Sequence, residues 1–163
     1  MTNTSELRLY SPDDFYRAYA IAMLNWQHVE SALFRLYFSF FESGNLVPIS
    51  AAYYSLDAFR PKFKLVNSTA KCVLKGKLLS TWTSIAKKVV SAAEERNVLA
   101  HLPAAIEFNT DGSLSLVLSP GIFIPPALVR SKKRKYDAAG CENLAFDFES
   151  LAKRIDALTG ASP

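Results

Sequence analysis

Residues 11–42, SPDDFYRAYAIAMLNWQHVESALFRLYFSFFE, decide the fold class. Ser11 has the short side-chain oxygen of an N-cap, and Pro12 follows where a helix needs no N–H. Asp13 and Asp14 then meet the positive end of the helix dipole. Phe15, Tyr19, Ala22, Trp26, Val29, Leu33, Leu36 and Phe40 recur at spacings of three and four, which predicts a core-facing helical stripe. The pattern runs to about Glu42, with Gly44 as its end. Arg17, Asn25, His28, Arg35 and Ser39 fall on the opposite side. A helix of ~30 residues would be ~45 Å long, which suits a bundle rather than a small α/β unit. Tyr16, Met23, Phe34, Tyr37 and Phe41 form a second stripe beside the first. So wide an apolar face predicts contacts on two sides, one of them a second subunit.

Outward from this helix, the pattern stays helical for half the chain. A second helical region is expected over about 50–74, kinked or split into two shorter helices at Arg60-Pro61 because proline removes a donor and disfavours helix before it. Gly76 breaks it. A third helix covers about 78–101, with Leu78, Trp82, Ile85, Val89 and Ala92 as its stripe and Pro103 as its close. Residues 104–119 read as a β-hairpin, with Leu114, Leu116 and Leu118 alternating and Asp111-Gly112 at the turn. A final helix is expected over about 142–158, ended by Gly160. The expectation is one mainly all-α domain over 1–163, a four- to five-helix up-down bundle with a hairpin inserted before the last helix.

The chain has 163 residues, half of them hydrophobic, long enough to bury ~70% of its unfolded surface without a disulfide or metal staple. Cys72 and Cys141 form no CxxC pair and read as ordinary thiols. The polar N-terminal stretch lacks the apolar core of a signal peptide, and no apolar run approaches ~18 residues. The expectation is therefore a soluble, cytoplasmic protein with no membrane association. The net charge of +4 is uneven: Arg130, Lys132, Lys133, Arg134 and Lys135 stand together, and without them 14 basic residues face 15 acidic ones. Such a run can hold a nucleic-acid backbone. The alternative is a solvated loop.

No glycine-rich phosphate loop, GxSxG or His/Cys metal spacing is present, so neither cofactor nor metal is expected. Two histidines remain as candidates for acid–base work. His28 falls on a polar helix face and reads as solvated. His101 closes Glu95-Arg96-Asn97-Val98-Leu99-Ala100-His101. Arg96 continues the stripe of Ile85, Val89 and Ala92, and Asn97 and His101, four apart, lie on its flank. An arginine on an apolar stripe is costly unless it meets an anion, an acceptor or a subunit boundary.

Arg96-Asn97-x-x-x-His101 resembles the motif of the HEPN superfamily of helical-bundle ribonucleases and nucleotide-binding proteins, an arginine followed by a histidine after four to six residues. Trp26-Gln27-His28-Val29-Glu30 is similar to the helix-one pattern of bacterial members, as is a hairpin after the histidine. The resemblance covers about 11–101 and 141–160. One departure is Leu102-Pro103, where many relatives place glycine.

The resemblance implies a homodimeric, metal-independent endoribonuclease with paired motifs at the two-fold interface, acting in defence or as a toxin with an antitoxin partner protein. In that chemistry a base removes the RNA 2′-hydroxyl proton and a cation stabilises the charge growing on phosphorus. Histidine suits the first task and an arginine fork the second. The expected catalytic residues are Arg96, Asn97 and His101, with Arg130, Lys132, Lys133, Arg134 and Lys135 binding RNA. Glu30 projects toward the apolar side and is expected to support the site by pairing with Arg96 or Asn97, with Lys and Tyr side chains as competitors. The alternatives are a HEPN-like module that binds nucleotide, RNA or a partner protein without turnover, and a structural bundle in which Arg96 and Asn97 tie helix ends together.

Overall fold

The computed structural model describes residues 11–41, 45–108, 110, 114–119 and 136–160. The first helix, α1 (Pro12–Ser39), starts as its sequence dictates: Ser11 Oγ accepts from the Asp14 amide at 3.2 Å and Asp14 Oδ2 accepts from the Ser11 amide at 2.9 Å. This reciprocal box satisfies donors that a helix start otherwise leaves bare. The helix stops at Ser39, three residues short of the expected end.

The second region is two helices, α2 (Leu46–Tyr54) and α3 (Phe59–Val73). The break falls at Ser55–Ala58, ahead of Arg60-Pro61. Pro61 sits in the first turn of α3, where its missing N–H removes no intrahelical bond, so it starts a helix rather than kinking one. α2 also begins four residues earlier than expected, because Asn45 Oδ1 caps the Val47 amide at 3.0 Å. The next helix, α4 (Gly76–His101), opens on Gly76 with φ of 52°, a left-handed conformation that glycine adopts without strain. It ends at His101 because Leu102 precedes Pro103 and takes an extended conformation.

Two short strands follow, β1 (Ala104–Phe108) and β2 (Leu114–Leu118), antiparallel with Ala104 opposite Leu118. The leucine alternation does not mark the buried face cleanly: Leu114 is exposed, while Val117 is as buried as Leu118. Asp111-Gly112 lies outside the described residues, and so does the basic run 130–135. Tyr136 then bridges to Leu118 in both directions, at 2.8 and 3.1 Å. The last helix, α5 (Ala138–Thr159), starts four residues early because Asp137 Oδ1 accepts from the Gly140 amide at 2.8 Å. Gly140 fits closely there, since a Cβ would stand 3.2 Å from that oxygen and 3.3 Å from the Tyr136 ring, and either side chain would have to shift to admit it.

α1 and α5 pack along their lengths and run parallel. Asn25 Nδ2 donates to the Ala145 carbonyl at 2.9 Å, and farther along Arg35 grips Asp156 through two bonds of 2.9 and 2.8 Å. Both residues lie on the side of α1 read as solvent-facing, so that side borders α5 instead. Between the helices, Trp26, Val29, Leu33, Leu36, Phe148, Ala152 and Ile155 form the core, which Trp82, Ile85 and Val89 of α4 join. The second stripe of α1 is largely covered from within the chain: Tyr37 is buried, and Phe34 meets the rings of Tyr53 and Tyr54 at 5.1 Å. The apolar residues of α1 left bare are mainly Tyr16, Ile21 and Leu24, and Phe146 on α5 is 69% exposed. The chain is mostly helical, with one hairpin before the last helix, and among the described residues no helix is long and apolar enough to cross a membrane.

Candidate functional site

The last two turns of α4 carry Arg96, Asn97 and His101, and the amphipathic pattern sorts them. Arg96 shares the face of Ile85 and Val89 and is half-buried, whereas Asn97 and His101 are exposed. The three therefore do not converge on the core. Arg96 donates from a terminal nitrogen to Asn97 Oδ1 at 3.2 Å, and its Nε is buried with no acceptor among the described residues. A guanidinium nitrogen is costly to leave unpaired, and an anion or carbonyl acceptor reaching it would relieve that cost.

Arg96 and Asn97 line a groove of about 880 Å³ between α1, α3 and α4. Its apolar wall comes from Trp26, Phe59 and Phe63, whose two phenyl rings lie nearly parallel at 5.9 Å. Arg60, Lys62 and Lys64 supply positive charge, and Asp57 and Glu94 oppose it. Glu30 also lines this groove. The expected pairing with Arg96 or Asn97 does not form. Glu30 Oε1 accepts from the Trp26 indole at 2.5 Å, one helical turn earlier on α1, and no ion pair joins it to Arg96 among the described residues. The i, i+4 spacing brings indole and carboxylate together locally, ahead of any partner on α4.

His101 stands outside the groove, one turn beyond Asn97, on the exposed surface at the end of α4. His28 is exposed as expected. Tyr53 is buried, and its hydroxyl reaches the Glu30 carbonyl at 3.4 Å. Burial, with the Glu30 and Tyr54 charges adding, raises its phenol above the ordinary range, which keeps it a neutral packing residue rather than a base.

Sequence patterning missed Phe59 and Phe63. Their i, i+4 spacing was the available signal, but the expected break at Arg60-Pro61 separated them. A second groove, of about 630 Å³, lies between α4 and α5. Here Tyr136 donates its phenolic hydrogen to Glu95 Oε2, with Lys88, Asp147 and Arg154 around it. Among the described residues no three His, Cys, Asp or Glu side chains gather as a metal site. Comparison with protein-family models, curated proteins and solved structures returns no match. Among the described residues this is a five-helix protein whose α4 terminus presents an arginine, an amide and an imidazole beside a mixed-charge groove.

Proposed function

We propose that this chain is a HEPN-like, metal-independent endoribonuclease that works as a homodimer. The observation that carries it is the buried, acceptor-less Nε of Arg96, held beside Asn97 one turn before an exposed imidazole. Arg96 stabilises the charge developing on the scissile phosphate, Asn97 orients the guanidinium, and His101 takes the 2′-hydroxyl proton. His101 does not line its own chain's groove, so the arrangement gains a complete site when a second copy brings its α4 terminus alongside. A toxin or defence role with an antitoxin partner is the setting that the resemblance suggests. Incubation of the purified protein with single-stranded RNA in EDTA tests the reaction. Cleavage is expected to continue under chelation and to stop when the scissile nucleotide is 2′-deoxy. Dependence on added divalent cation, or cutting of the deoxy substrate, contradicts this chemistry.

One observation favours a second reading, a HEPN-like module that binds without turnover. Arg96, Asn97 and Glu30 share the groove within a single chain, whereas His101 does not line it. Binding there needs no imidazole.

A further inference from the structure

The α1–α3–α4 groove holds an acid and a base that do not meet. Glu30 is fixed from α1 through the Trp26 indole, and Arg96 is fixed from α4 through Asn97. Each leaves capacity unused: Oε2 of Glu30 together with the remaining lone pair of Oε1, and the Nε of Arg96, enclosed without an acceptor among the described residues. Two opposite charges in one groove attract strongly when little water separates them, so their separation by rigid helices marks a gap suited to a ligand. That ligand carries hydrogen-bond donors at one end and an anion at the other. The phenyl rings of Phe59 and Phe63 give the gap an apolar wall, which suits a planar body. A groove of about 880 Å³ lies within the range that holds one nucleotide.

The base follows from Glu30. A carboxylate accepts and cannot donate. Guanine alone among the RNA bases presents two adjacent donors, N1–H and the N2 amine, on its Watson–Crick edge. Adenine and cytosine place an acceptor nitrogen beside their single amine, and uracil flanks one donor with two carbonyls. Each of these sets a lone pair against the carboxylate. We propose that this groove binds a guanine nucleotide, with Glu30 accepting from the base edge, the phenyl wall flanking the ring and Arg96 meeting the phosphate. Unstacked RNA bases are commonly read in this way, by aromatic contacts and edge hydrogen bonds. The nucleotide can be free or part of single-stranded RNA; the second source rests on the RNA-directed reading above, and the first does not.

Equilibrium binding tests this without cleavage. The probes are 2′-O-methyl oligonucleotides of nine residues, uridines around one central G or A, together with GMP and AMP. Full-length protein is expected to bind the G probe ~10-fold or more tightly than the A probe, the worth of a hydrogen bond to a charged group. Displacement by GMP and not AMP identifies the base as the recognised unit, and GMP binding without oligonucleotide binding assigns the groove to a free nucleotide. Glu30→Gln keeps a carbonyl for the Trp26 indole and is expected to abolish the preference for G. Arg96→Lys is expected to weaken both probes while leaving their ratio unchanged. Equal affinity for G and A, or an unchanged preference in Glu30→Gln, overturns the proposal. A G preference in a protein that cuts no RNA supports the groove and removes the catalytic reading alone.

Discussion

Tyr136 donates its phenolic hydrogen to the carboxylate of Glu95, the residue immediately before Arg96. Tyr136 thereby ties the chain ahead of α5 to the turn of α4 that bears the candidate site. Tyr136 also pairs with Leu118 through its backbone, so one buried residue joins hairpin, α4 and the start of α5. Tyr136→Phe keeps the ring and removes the donor. The expected loss is ~1–3 kcal/mol of unfolding free energy, measured by urea denaturation, the range for a hydrogen bond to a charged acceptor. Unchanged stability would show that the bond contributes nothing net.

Alkaline pH should destabilise the fold. Burial, with Asp137 adding, pushes the Cys141 thiol up to about 11, and burial raises the Tyr53 phenol as well. In the unfolded chain these groups lose their protons near ~8.5 and ~10. From about pH 8.5 upward the unfolded state therefore holds fewer protons than the native state, and stability falls as pH rises toward the native values. The urea midpoint is expected to drop steadily between pH 8 and 10, and Cys141→Ala is expected to flatten the early part of that drop. A midpoint that is level over this interval contradicts the assigned burial.

Much of the helical frame was legible because its signals are local. Ser11-Pro12-Asp13-Asp14 contains its own cap, and Leu102-Pro103 its own stop. Differences arise where local cues compete. The split into two helices is as expected, but it lies ahead of Pro61, because the sequence does not show that Ala58 is already outside the helix. The last helix begins at Ala138 rather than near Glu142 because Asp137 caps it, ahead of the strongest part of the apolar pattern. The site was legible on α4 alone. Arg96 stands out as a charge on an apolar stripe, but Glu30 pairs with Trp26 on its own helix rather than with a residue of α4, since an indole in the core stripe also carries a donor. The groove itself needed three helices in register, and residue spacing within one helix carries no information about that.

Changing Lys132, Lys133 and Lys135 to glutamate should weaken RNA binding and flatten its dependence on salt. Phosphate contacts release counterions, so each lost contact lowers the slope of log affinity against log salt by about one. Titrations of a fluorescent RNA at several salt concentrations measure it. An unaltered slope would assign the run to a solvated loop.

Self-association has a structural motive in Tyr16, Ile21 and Leu24 of α1 and Phe146 of α5, which remain exposed. Light scattering is expected to report twice the 18.1 kDa chain mass at tens of micromolar. A monomer at that concentration would remove the composite site.

The most direct test compares RNA cleavage by wild type, Arg96→Ala, His101→Ala and the double variant, each confirmed as folded by circular dichroism. Each single change is expected to reduce the rate ~10²-fold or more, the scale of losing a general base or a charge stabiliser. The double variant is expected to be hardly slower than either single one, because groups acting on one transition state are not additive. Equal cleavage by wild type and His101→Ala, or no cleavage of any RNA by the intact dimer, would contradict the account.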